Sequence, residues 1–259
     1  TGLRVEGRDR TADLVDCSWS GPNQYKGQTP AAILAALCKP FGVAVVAPAE
    51  LGGPIPSFVL EPGETVHQAI QRLCRLRGFL PTSDRQGRLV VAQPSKILQP
   101  VALREGENVK EAEADWSARD LFSHITVKGQ SAGTRDARGR IRNGASFTVH
   151  DPRVKRYRPL TVVAHGQATE ADCQRQAYWE LASRNGKKLK FDPTVVGWRQ
   201  RPGGALWDTN QLVRVDHPTC FVDEALLIAT ATYRLALDGG TTTELKMGRR
   251  EAYLPEPPD

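Results

Sequence analysis

Residues 225–247 constrain the fold more than any other part of the chain. The runs 225–237 and 241–247 are long strand-type segments, and Asp238, Gly239 and Gly240 between them have the turn chemistry of a hairpin. Strands of this length need a curled or doubled sheet to bury one face, so they favour a barrel or a sandwich. Shorter strand-type runs precede them at 123–128, 146–149, 160–164, 187–191, 194–198 and 211–215. One helix interrupts the series. It should start at a capping box of Thr169 and Asp172 and stop at Asn185 and Gly186.

The N-terminal third reads differently. Residues 3–7 alternate as a half-buried strand does, and a polar stretch to Cys17 leads to the break at Gly21, Pro22 and Asn23. Thr29 and Pro30 then supply an N-cap and a first helical position, and Ile33, Leu34, Leu37, Cys38 and Phe41 recur at helical spacing up to Gly42. A short strand at 43–46 follows. A second helix over 64–77 lines Val66, Ala69, Ile70, Leu73 and Cys74 on one face. Residues 79–82 and 88–92 flank a turn, which completes a small α/β module over 18–98, and Pro94 and Pro100 bracket its exit. The expected fold class is α+β, mainly β: a tube-type β-barrel domain carrying a small α/β insertion domain.

Hydrophobic residues make up 40% and charged residues 25% of the 259, the proportions of a globular chain able to bury a core. The longest strongly apolar run, 31–38, falls far short of the roughly 18 residues a membrane-spanning helix needs, so no membrane insertion is expected. Five widely spaced cysteines without a Cys-x-x-Cys pair argue for reduced thiols rather than a disulfide framework or a zinc knuckle. The net charge of +6 is a mild excess, 35 basic against 29 acidic residues. Arg135, Arg138, Arg140 and Arg142 concentrate part of it in a loop rich in Gly, Asn and Ser, the basis of an alternative reading as a nucleic-acid-binding module.

The local signatures of dinucleotide, zinc-protease, serine-hydrolase and calcium sites are absent from the sequence. Gly2 and Gly7 have P-loop spacing, but Arg8 and Asp9 stand where Lys and Ser or Thr would hold phosphate and magnesium. Asp216, His217, Pro218, Thr219 and Cys220 would put an imidazole beside a thiol, yet Pro218 marks them as a turn between strands. Trp19, Trp116, Trp179, Trp198 and Trp207 lie on different segments, the pattern of packing residues rather than of a base-stacking platform. No catalytic, cofactor-binding or metal-binding residue is singled out, and no cofactor is expected.

The stretch Val5 to Cys17 resembles the baseplate hub family of bacteriophage Mu and Mu-like prophages, related to the hub portion of type VI secretion spikes. Further landmarks follow in that family's order: Pro62-Gly63-Glu64-Thr65-Val66, Arg156-Tyr157-Arg158-Pro159, Gly197-Trp198, Leu206-Trp207 and Arg249-Arg250-Glu251-Ala252-Tyr253-Leu254. The resemblance implies a non-enzymatic structural protein with two tube barrels and an α/β insertion. Residues 1–17 would hold the last strand of a first barrel largely missing from this chain, 18–98 the insertion, 99–254 the second barrel with one helix, and 255–259 a Pro-rich tail. It further implies a homotrimeric ring adapting a sixfold tail tube to a threefold spike. Partners would be the spike and the tube or adjacent baseplate proteins, with DNA only as passing cargo, in a virion tail baseplate made in the bacterial host cytoplasm.

Overall fold

A computed structural model of the chain describes residues 6–129, 144–164, 168–237 and 239–257. The chain forms two compact units, one up to Gln93 and one over Pro94–Leu254.

The first unit contains α1 (Ala12–Asp16), β1 (Gln24–Gln28), α2 (Pro30–Cys38), β2 (Val45–Val46), β3 (Ile55–Val59), α3 (Val66–Arg75), β4 (Leu80–Ser83) and β5 (Leu89–Ala92). Thr29 caps α2 by accepting from the Ala32 amide, and Pro30 fills its first helical position, where a missing N–H costs nothing. Thr65 and Gln68 close a full capping box on α3, Thr65 Oγ1 accepting from the Gln68 amide at 3.2 Å and Gln68 Oε1 from the Thr65 amide at 2.8 Å. Its buried residues, Val66, Ala69, Ile70, Leu73 and Cys74, are those its spacing predicts. They pack with Ile33, Leu34 and Leu37 of α2 and Leu14 of α1 in one core. Two small sheets, β1-β3 and β2-β5-β4, cover the helices, and β2 runs parallel to β5.

The second unit contains β6 (Leu98–Arg104), β7 (Val109–Trp116), β8 (His124–Lys128), β9 (Ser146–His150), β10 (Pro159–Val163), α4 (Glu170–Gly186), β11 (Leu189–Val196), β12 (Leu212–His217), β13 (Val222–Ala236) and β14 (Gly240–Gly248). Thr169 and Asp172 form the expected capping box on α4. Six strands make one sheet in the order β6-β12-β13-β14-β11-β7. Its two edge strands are consecutive in the chain. A flat sheet would hold them about 24 Å apart, five spacings of about 4.8 Å, whereas the chain from Arg104 to Val109 reaches at most about 18 Å. The sheet therefore curls until its edges meet at this turn. Asn108 clips them there: its side-chain amide donates to Ala102 O of β6 at 2.8 Å, and its carbonyl accepts from the Val196 amide of β11. Inside the curl lie Leu103, Leu189, Phe191, Val195, Trp207, Val213, Val215, Leu226, Leu245 and Met247. A separate sheet, β10-β8-β9, lays Ile125, Val127 and Val149 against Cys173 and Ala177 of α4.

The runs 187–191 and 194–198, expected as two strands, are the single strand β11. Pro193 explains both the expectation and the outcome. Its missing N–H interrupts the ladder to β14 between Phe191 and Thr194, while β7 stays paired with the strand throughout. The strand expected at 3–7 lies mostly outside the described residues.

Candidate assembly interface

The longest strand, β13, runs past its own core. After the register shift between Ile228 and Thr230 its side chains pass from buried to exposed. The distal half of the β13–β14 hairpin thus stands clear of the barrel and presents Leu235, 73% exposed, and Leu237, fully exposed.

The loop after β11 braces this hairpin. The Gly197 amide donates to Thr241 O at 2.9 Å, Thr243 Oγ1 donates to Gly197 O at 2.7 Å, and Trp198 Nε1 donates to Arg234 O at 2.9 Å. The Trp198 and Tyr233 rings meet edge to face at 6.3 Å, and the Tyr233 hydroxyl donates to Trp207 O. Gly197 adopts φ +78°, which a side chain would strain. Between loop and turn lies a cleft of 540 Å³ lined by Glu107, Asn108, Val196, Trp198, Arg201 and Pro202. The turn, the loop and the hairpin form one braced rim at one end of the curled sheet.

The segment from Asp216 to Cys220 is a structural corner. His217 is buried against Phe191, and its Nδ1 accepts the Cys220 amide at 3.3 Å, capping a short 3₁₀ turn over Pro218–Cys220. Glu105 accepts both the amide and the hydroxyl of Thr219, at 3.0 and 2.5 Å. Burial and the Glu105 charge raise the Cys220 thiol pKa, the opposite of what a nucleophile needs. Arg8 and Asp9, beside the P-loop-like spacing, serve α1. Asp9 accepts the Thr11 amide at 2.8 Å, and Arg8 pairs with Asp16.

Four indoles donate to backbone carbonyls: Trp19 to Pro22, Trp116 to Cys220, Trp179 to Leu254 and Trp198 to Arg234. The fifth, Trp207, is buried in the barrel core. None lies free as a stacking platform. The arginines 135, 138, 140 and 142, like His165, lie outside the described residues. Among the described residues no group of three or more His, Cys, Asp or Glu has metal-site geometry, and no helix is long and apolar enough to cross a membrane. His124 and His150 do come together, across β8 and β9, with ring centres 4.7 Å apart. Nothing in their sequence spacing signals this, because strand register alone pairs them.

The fold of the chain is shared with solved phage tail proteins. The 43 kDa tail protein of prophage MuSo2 from Shewanella oneidensis superposes with a TM-score of 0.82 at 38% identity, over 95% of this chain and 72% of that one. The tail protein from Neisseria meningitidis MC58 does so with a TM-score of 0.74 at 28% identity, over 95% and 74%. Family models match in succession: the second domain of baseplate hub protein gp44-like proteins over residues 11–93, the third domain of NMB1110-like tail proteins over 122–178, and the fourth domain of the Mu phage baseplate assembly protein GpP over 169–256. The baseplate hub protein gp44 of Escherichia phage Mu is 35% identical over 263 residues, covering 97% of this chain and 68% of that protein. The chain belongs to this Mu-type baseplate hub family. It is a structural protein of the phage tail baseplate.

Proposed function

We propose that the chain works by geometry rather than chemistry, as one subunit of a homotrimeric hub ring that adapts a sixfold tail tube to a threefold spike. The resemblance implies two tube barrels per subunit, of which residues 99–254 would be the second, so that three subunits would present six similar barrels to the tube and three equivalent faces to the spike. In this reading residues 18–98 are an insertion and 99–254 the second tube domain. The spike and the tube or adjacent baseplate proteins are the partners, DNA passes only as cargo, and synthesis takes place in the host cytoplasm.

The observation that carries the reading is the curled sheet closed only at its Arg104–Val109 turn. It leaves β6 and β7 as edge strands and Leu235 and Leu237 exposed on the β13–β14 hairpin, features that a ring of subunits would cover. Light scattering after gel filtration tests it, on the hub protein that carries both tube barrels the resemblance implies. A mass of three chains that persists on dilution is expected. A monomer at every concentration overturns the ring.

A further inference from the structure

We propose that His124 and His150 form a bidentate site for a borderline divalent transition-metal ion of the zinc, copper and nickel class. The two residues face each other in register on the antiparallel strands β8 and β9. Their neighbours Ser123 and Asp151 are joined by a hydrogen bond from the Asp151 amide to Ser123 O, as are Gly129 and Ala145 at the other end of the ladder. Odd positions of β8 therefore occupy the hydrogen-bonded pairs, and His124 and His150 fall in a non-hydrogen-bonded pair, where opposed side chains approach most closely. Both lie on the face away from α4, since Ile125, Val127 and Val149 point into that core.

The separation of the ring centres matches that of two imidazoles sharing one ion. A metal about 2.0 Å from each imidazole nitrogen lies about 3.2 Å from each ring centre, so two cis ligands at roughly 90–110° hold the centres about 4.5–5.2 Å apart. The observed separation is 4.7 Å, with the planes inclined at 55°.

The support behind the pair is that of a built site. Ser123 is buried, and its Oγ lies 3.0 Å from His124 Nδ1 while accepting the Arg158 amide at 2.7 Å. When Nδ1–H donates to this oxygen, His124 Nε2 keeps its lone pair, the arrangement that orients a ligating histidine. Tyr157 packs edge-on against His124 at 5.6 Å and limits its rotation. Among the described residues, no side-chain hydrogen bond engages His150. Water would complete the coordination sphere.

Calorimetric titration of the full chain with zinc chloride tests the site, with continuous-wave EPR of the copper(II) form as a second readout. One equivalent is expected, and EPR should show two imidazole nitrogens on the copper. His124→Gln and His150→Gln, which keep a polar side chain in the strand pair, should each weaken binding more than about 100-fold. Ser123→Ala should weaken it by about tenfold, the size of an outer-shell loss. Binding unchanged in His150→Gln, or a copper spectrum with a single imidazole, overturns the proposal.

Discussion

Gly186, the last residue of α4, lies so close to Ala252 that a Cβ built on it would stand 2.2 Å from the Ala252 nitrogen and 2.7 Å from the Glu251 carbonyl carbon. Both obstacles are backbone, so no rotamer change relieves them. Gly186→Ala should push α4 away from the 3₁₀ turn over Arg250–Tyr253 and cost about 1–3 kcal/mol. Gly239→Ala, whose Cβ would meet only the Ala236 Cβ at 3.7 Å, is the tolerated control. Equal urea midpoints for the two variants would refute the close-approach argument.

Arg249 and Glu224 form a two-point pair, Nε to Oε2 at 2.7 Å and Nη2 to Oε1 at 2.6 Å, while Arg249 Nη1 donates to Asn185 O at 3.3 Å. Both side chains are mostly shielded, and the guanidinium also lies over the Trp116 ring. A lysine reproduces the charge but not the fork. Arg249→Lys should therefore lower stability by about 1–2 kcal/mol, nearly as much as Arg249→Met. Denaturation in which the lysine variant matches the native protein would show that charge alone suffices.

The elements legible in the sequence are those whose side chains announce a period. The N-cap of α2 at Thr29, the apolar face of α3 and the capping box of α4 are local patterns, and the structure contains each of them. Four strands escaped for physical reasons. In β1 only Tyr25 is buried, and β3 buries Ile55 and Phe58 three residues apart, so neither alternates. Pro100 sits inside β6, which an edge strand permits, and β7 turns small Ala112 and Ala114 toward the core, leaving almost no hydrophobic signal. Of the rim, the β13–β14 hairpin was legible. Its brace by Gly197, Trp198 and Tyr233 depends on tertiary contacts, as does the meeting of His124 with His150.

Asp151 is a buried carboxylate whose pKa is held down to about 2, first by the Arg153 side chain and then by the Asn185 amide, against the cost of burial. A carboxyl depressed in the folded state adds stability that is complete above its unfolded value of 3.8 and disappears as pH falls through the folded one. The contribution is about 2 kcal/mol. Asp151→Asn should be less stable than the native protein by about this amount near pH 6, with the gap closing as pH falls toward 2. Urea titrations at pH 6, 4, 3 and 2 measure it, and a gap independent of pH would assign the loss to packing.

Trp207 fills the barrel core at 1% exposure, and among the described residues its indole N–H has no hydrogen-bond partner. Two effects oppose each other when it is replaced. Phenylalanine removes a buried unsatisfied donor, worth about 1–3 kcal/mol, but loses part of the ring's volume at a similar cost. Trp207→Phe should therefore lie within about 1 kcal/mol of the native protein, while Trp207→Ala loses about 3–5 kcal/mol. A phenylalanine variant as damaged as the alanine one would show that shape outweighs the missing hydrogen bond.

The five thiols should separate by burial rather than by neighbouring histidine. Cys17 is exposed, whereas Cys38, Cys74 and Cys173 are buried and Cys220 is partly covered. Burial raises the Cys38 thiol to about 11 and the Cys74 thiol to about 12, and the Cys173 and Cys220 thiols are raised for the same reason. Because the thiolate is the reacting form, a disulfide reagent at pH 8 should label one thiol quickly, and Cys17→Ser should abolish that phase. Cys220 should react slowly, since His217 spends Nδ1 on the Cys220 amide instead of withdrawing the thiol proton. Fast labelling that survives Cys17→Ser but disappears in Cys220→Ser would overturn the assignment of this corner as a cap and reopen it as a reactive site.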